Sequence, residues 1–229
     1  MRFLFNLTRL ALCLAPTLSL AQTPQGVCGT DVMDQKLLQE KPQLIQERQM
    51  AEEIIRQNVS RMEQFANFQR TTSGSDFVIP VVVHVVHTGT TDSISIAQVE
   101  SQIDALNRDY RRIPGTLGFG AKGADYKVEF ALATKDPNGN PTTGVTYTRN
   151  TNLSSHNMDT EEASLKSAVV WNSRKYLNIW IVKEITSSFA PGGGLVLGYA
   201  RFPQQLTPNS TDGVVIRHDC FGTTGTAGG

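Results

Sequence analysis

The run Phe77-Val78-Ile79-Pro80-Val81-Val82-Val83-His84-Val85-Val86-His87 constrains the fold more than any other part of the chain. Between Val78 and Val86 apolar residues follow one another instead of alternating. Successive side chains of a strand point to opposite faces, so this run needs apolar cover on both sides of a sheet. It reads as a central strand between layers of helices. The next segment supplies one such layer: Ser95-Ile96-Ala97-Gln98 fits a capping box, and Ile96, Val99, Ile103, Leu106 and Tyr110 recur at three and four residues, the stripe of an amphipathic helix. Ile113-Pro114-Gly115 stops that helix, and Tyr126 to Ala133 alternates, with Val128, Phe130 and Leu132 inward. Strand, helix and strand form a right-handed parallel crossover, closed by the turn Asp136-Pro137-Asn138-Gly139.

A second helix is expected from Asp159-Thr160-Glu161-Glu162, with Leu165, Ala168, Val169 and Tyr176 on its inner face. It is expected to run directly into a strand from Leu177 to Ile185, in which Trp180 and Val182 face one side and Ile179 and Ile181 the other. Beyond Gly192-Gly193-Gly194 lie two shorter strands, Leu195 to Phe202 and Gly213 to Arg217. The body is therefore α/β.

The part before the body has a different texture. Arg2 and Arg9 precede the apolar run Leu10 to Leu20, and Ser19-Leu20-Ala21 offers a cleavable junction, the pattern of an export signal over residues 1–21. The run is too short to span a bilayer and is interrupted by Pro16, so export without an anchor is expected, to the periplasm or the extracellular space. From Asp34 to Arg70 apolar residues fall mostly at helical spacing within a Gln-, Glu- and Arg-rich stretch that Pro42 splits in two. Thr71-Thr72-Ser73-Gly74-Ser75 reads as an exposed, easily cut linker. A helical leader, a cuttable linker and an α/β body look like a secreted zymogen; a coiled spacer is the alternative.

The 229 residues carry 21 acidic and 21 basic side chains and no basic cluster, which argues against a nucleic-acid partner, because binding phosphates requires a basic face. Gly118-Phe119-Gly120-Ala121-Lys122-Gly123 has the spelling of a dinucleotide fingerprint. That motif needs a strand before it and a helix after it, whereas here the order is reversed, so it reads as a plain loop. His84 and His87 are three apart on a strand, which turns their rings to opposite faces and prevents them from sharing one metal ion. His218, Asp219 and Cys220 diverge on an extended chain, so at most two could reach one ion. Cys28 and Cys220 remain after loss of the signal; a disulfide between them is one reading, and a Cys28 thiolate that caps a catalytic metal is another.

Several segments, taken in order, resemble one family, the secreted pappalysin-like zinc metallopeptidases, relatives of pregnancy-associated plasma protein-A within the metzincin clan. The resemblance rests on IPVVVHVVH, ISIAQVESQIDALNRDYRR, VEFALATKDPNGNPTTGVTYTR, YLNIWIVKEI, LGYARFP, and DGVVI followed by FGTTGTA. It covers most of residues 77–229, and the leader with VCGTD is similar to the family's pro-segment. The resemblance implies a twisted, mixed, mostly parallel sheet with backing helices, the upper subdomain of a catalytic domain, behind a helical pro-segment and linker at residues 22–76. It also implies an edge strand that pairs in antiparallel fashion with an extended peptide substrate. LGYARFP holds that position, making Gly198, Tyr199, Ala200 and Arg201 substrate-contact candidates through backbone hydrogen bonds. Cys28 matches the family's latency cysteine, a zinc ligand in the zymogen.

The family's His-Glu-x-x-His-x-x-Gly-x-x-His helix, with its zinc ligands and general base, is absent from these 229 residues. The chain is thus expected to be the front part of a longer, zinc-dependent endopeptidase, and by itself neither to bind zinc tightly nor to hydrolyse peptides. A secreted peptide-binding module and a decayed protease fragment are the rival readings.

Overall fold

The computed structural model describes residues 27–65, 77–121, 123–190, 195–201 and 212–228. The export signal at 1–21 and the linker at 71–75 lie outside the described residues.

The apolar run becomes β2 (Phe77–His87), and every residue from Val81 to Val86 is 0% exposed. Each buried valine contributes about 1.5–3 kcal/mol of transfer free energy, an upper figure because the unfolded chain already hides some of it. Three strands lie alongside β2 in parallel: β3 (Val128–Leu132) along its first half, β4 (Val145–Arg149) along its second, and β6 (Leu177–Val182) on the other flank. Beyond β6 follows β9 (Val214–Arg217), also parallel, and then β8 (Val196–Ala200), antiparallel to β9. The last strand is β1 (Val27–Cys28), parallel to β8, so the sheet order is β1-β8-β9-β6-β2-β3. A separate parallel pair joins β5 (Ser155–Asn157) to β7 (Glu184–Thr186).

Alternation along the strands divides the core in two. Val81, Val83, Val85, Ile179 and Ile181 pack with Val99 and Ile103 of α3 (Ile96–Tyr110). Val86, Trp180, Val182 and Val215 pack on the opposite face with Leu165 of α5 (Glu162–Ala168) and Met33 of α1 (Thr30–Glu40). The expected two-sided cover of the central strand, and the split of Ile179 and Ile181 from Trp180 and Val182, are both present.

Ser95 caps α3 by accepting the Gln98 N–H at 3.2 Å. From the far end of the same helix Asn107 reaches β3, where its Oδ1 accepts the Phe130 N–H at 2.7 Å and its Nδ2 donates to the Phe130 carbonyl at 2.9 Å. Those backbone groups point away from β2, so the side chain occupies the outer margin of the strand. In the leader, α1 and α2 (Gln43–Phe65) meet at Lys41-Pro42, the break that proline imposes.

Two expectations need correction. The second helix does not run into the next strand: α5 ends at Ala168, and Val169 is extended, at φ −153°. The reason lies in Asn178, whose side chain accepts the Trp171 N–H at 2.8 Å and donates to the Trp171 carbonyl at 2.9 Å, holding 169–176 as a loop beside β6. Ala168 is exposed accordingly. The expected strand from 177 to 185 is two strands, β6 and β7, parted at Lys183, whose N–H turns to the Ser154 carbonyl at 3.0 Å. Ser154 closes the short helix α4 (Thr151–Ser154).

Candidate functional site

Strand β8 is not a free edge. The Gly29 N–H donates to the Gly198 carbonyl at 2.8 Å, and the Ala200 N–H donates to Thr30 Oγ1 at 3.0 Å, so the leader covers the outer side. Backbone groups alternate in direction along a strand, which turns those of Gly198 and Ala200 outward and those of Tyr199 toward Val215 of β9. Among the four sequence candidates, then, only Gly198 and Ala200 present outward backbone groups on the strand. A methyl group on Gly29 would come within 2.9 Å of Met158 Sδ and Val196 Cγ1, so glycine allows β1 to lie this close. Immediately after it α1 begins, with Met33 and Leu37 buried and Lys36 Nζ donating to the Asp159 carbonyl at 3.1 Å. The leader is fastened by a strand, a hydroxyl and an apolar helix face.

The side chains of Tyr199 and Arg201 are committed elsewhere. Tyr199 is 1% exposed, its hydroxyl lies 2.8 Å from His156 Nε2, and burial raises its pKa. Arg201 Nε donates to Glu162 Oε2 at 2.7 Å, and Nη2 reaches the same oxygen. Glu162 Oε1 holds Lys166 Nζ at 2.9 Å, four residues on along α5. Lys166 is 1% exposed, with its ammonium 5.2 Å from the Trp180 ring centre and 5.6 Å from that of Tyr199. Burial alone would raise the Glu162 carboxyl, but the Arg201 hydrogen bond and the charges of Lys166 and Arg201 outweigh it and hold the pKa below its ordinary value. Burial also lowers Lys166. This buried pair lies beneath β8 and was not singled out in the sequence; the signal was the Glu162/Lys166 spacing, i and i+4.

Two histidines are buried as neutral rings. His84 sits between Thr146 Oγ1 at 2.8 Å and Asn178 Oδ1 at 2.9 Å. Because Asn178 Oδ1 also accepts the Trp171 N–H, it must accept from His84 Nε2, which fixes the proton there and leaves Nδ1 to accept from Thr146. Burial lowers His84 to about 4 and His156 also to about 4. His87 takes a different environment, with Nδ1 2.9 Å from the Gly89 carbonyl, so the two histidines of HVVH share no partner.

The remaining sequence features are structural. Gly118 to Ala121 and Gly123 lie in an irregular loop between α3 and β3, where Gly118 N–H donates to Asp109 Oδ1 at 3.1 Å; Lys122 is outside the described residues. His218–Cys220 form a single 3-10 turn after β9, and Asp219 Oδ2 holds Arg217 at 2.5 Å. Burial and the Asp219 carboxylate raise the Cys220 thiol. Cys28 and Cys220 are both exposed and unbridged. Cys28 lies opposite Gly198, which lies opposite Ile216, so two strand spacings, roughly 9.5 Å, already separate Cys28 from β9. A disulfide to Cys220 would require Cα atoms within about 7 Å. The described residues do not fit a zinc ion: among them no three His, Cys, Asp or Glu side chains gather as a metal site.

A mixed, mostly parallel sheet with helices on both faces and the reversed strands β8 and β1 at one margin is the fold of a metzincin-type metallopeptidase domain. The particular likeness is to mirolysin, a metzincin-clan zinc metallopeptidase. Mature mirolysin of Tannerella forsythia in complex with a cleaved peptide is 36% identical, with a TM-score of 0.56, over 67% of this chain and 57% of that one. Mirolysin bound to a small compound gives 37% identity and a TM-score of 0.56 over the same shares. A promirolysin mutant of Tannerella forsythia gives 34% identity and a TM-score of 0.54 over 80% of this chain and 60% of that one. The chain thus spans 57–60% of the length of these structures. No family model matches the chain, and no curated protein matches it.

Proposed function

We propose that the chain is the leading part of a secreted zinc metalloendopeptidase of the pappalysin-like type, made as a zymogen. Residues 1–21 are its export signal, 22–76 its pro-segment and linker, and 77–229 the upper subdomain of its catalytic domain. The substrate is an extended peptide that pairs in antiparallel fashion with β8, through the Gly198 carbonyl and the Ala200 N–H. The observation that carries this reading is that those same two groups are held by Gly29 and Thr30 of the leader. Leader and substrate would compete for one edge, and the leader must go before a peptide can enter. The larger share of the chain matched by promirolysin, 80% against 67% for the mature form, supports the same view. Mirolysin's being secreted fits an exported chain, and among the described residues no helix is long and apolar enough to cross a membrane.

Cys28, exposed and next to the covered edge, serves in this reading as the latency ligand of a zinc ion whose other ligands lie outside this chain. The test uses the longer protein with its zinc-binding helix, assayed on a quenched peptide with the leader intact, with the leader cleaved, and as Cys28→Ala. Activity that appears on cleavage, and prematurely in Cys28→Ala, is expected. Equal activity with and without the leader rejects the zymogen reading, and unchanged latency in Cys28→Ala rejects the cysteine's role.

A further inference from the structure

The capping box at the start of α3 is only half used in the expected way. Ser95 accepts the Gln98 N–H, but the Gln98 side chain, 1% exposed, is turned to the segment that leaves β9. Its Nε2 donates to the carbonyls of His218 at 2.8 Å and Phe221 at 2.9 Å, and its Oε1 accepts the Thr226 N–H at 3.0 Å. Two neighbours on the same helix face continue the contact: Ser101 Oγ accepts the Thr223 N–H at 2.9 Å, and Gln102 Oε1 accepts the Gly222 N–H at 2.7 Å. Thr226 Oγ1 donates back to the His218 carbonyl at 2.8 Å, and Phe221, 1% exposed, plugs the core below.

Glycine is required at two points of this segment. Gly222 and Gly225 have φ of +108° and +65°, and a methyl group on either would meet Gln98 at 2.7 Å or less. A segment with only two single 3-10 turns would ordinarily fray at little cost. Here a buried amide must find both its acceptors and its donor in one conformation, since an unpaired buried polar group is costly.

We infer that Gln98 is a positioning residue: it fixes 218–226 against α3 and so sets where the chain leaves the sheet. The inference rests on the proposed function for its purpose, because in the longer peptidase this segment leads toward the zinc-binding helix and its placement fixes that helix relative to β8. The clamp itself stands on the contacts above.

The experiment is hydrogen exchange on the 229-residue chain as native, Gln98→Met and Gln98→Glu. Gln98→Met keeps the shape and loses every hydrogen bond; Gln98→Glu keeps the acceptor but sets a carboxylate against two carbonyls. The amides of Gly222, Thr223 and Thr226 are expected to lose protection about tenfold or more in both variants, while those of Val81 to Val86 keep theirs. Native exchange at 222–226 in Gln98→Met overturns the clamp, and so does parallel loss along Val81–Val86, which would mark a merely global effect. In the longer protein, Gln98→Met is expected to lower kcat with KM unchanged; unchanged kcat overturns the positioning role. A longer native protein without peptidase activity would refute the proposed function and leave the clamp to be decided by exchange alone.

Discussion

Lowering the pH from 7 to 5 should destabilise the protein through two imidazoles. His84 and His156 are buried and titrate at about 4 in the fold, against 6.5 for a free histidine. The unfolded chain therefore binds more protons between those values, and stability is complete above pH 6.5, falls as pH drops toward 4 and levels off below it. At pH 5 each ring is about thirtyfold protonated in the unfolded state and hardly at all in the fold, a loss of about 2 kcal/mol each and about 4 kcal/mol together. That is a large part of the roughly 5–15 kcal/mol typical of a domain. Asp92, Asp159 and Glu162 are all held below their ordinary values, so their contributions fade only at lower pH and do not blur the window. Urea unfolding followed by tryptophan fluorescence at pH 7 and pH 5 should show the midpoint fall by roughly 1.5 M. His156→Phe, which keeps a ring against Tyr199, should halve the pH dependence. Equal midpoints at the two pH values, or a full pH dependence in that variant, would refute the assignment of buried neutral rings.

Glu162→Leu removes the carboxylate 2.9 Å from the Lys166 ammonium, which is 1% exposed, and should cost about 3–5 kcal/mol in urea unfolding. Adding Lys166→Met should restore most of it, and failure to do so would mean that Glu162 acts through Arg201 instead. Gly29→Ala forces a methyl group against Met158 and Val196, and about 1–3 kcal/mol of overpacking should loosen the leader strand. The Ala200 amide should then exchange at least about tenfold faster, with β2 unchanged; an unchanged Ala200 would show that close packing of Gly29 is not needed to hold the leader.

What the sequence made legible was whatever its local pattern encodes. The unbroken apolar run could only be a strand covered on both faces, Ser95 announced the start of α3, and Pro42 announced the gap between α1 and α2. What stayed hidden depends on partners far along the chain. The strand β1 has two residues and owes its existence to β8, some 170 positions away, so nothing near Val27 signals it. Lys166 falls on a helix position that spacing assigns to neither face with certainty, and it is buried because Glu162, Trp180 and Tyr199 neutralise and cover it. The end of α5 at Ala168 is set by Asn178, a side chain on the following strand, and helix periodicity carries no trace of that competition. The edge residues Gly198 to Arg201 were found by likeness to a family; only the register showed that alternate residues face opposite neighbours.

Asn107 gives the sheet a direction of access. At the β3 margin its carboxamide imitates the backbone of a further strand, and since it belongs to α3, anchored in the core, no incoming chain can take its place without unpacking the helix. At the β8 margin the same kind of hydrogen bonds are made by residues of a leader that precedes the body in sequence. At one border of the sheet Phe130 is thus occupied by a side chain of the core, while at the other Gly198 and Ala200 are occupied by an N-terminal segment, so a foreign strand would have to unpack a helix on one side and displace two residues of that segment on the other.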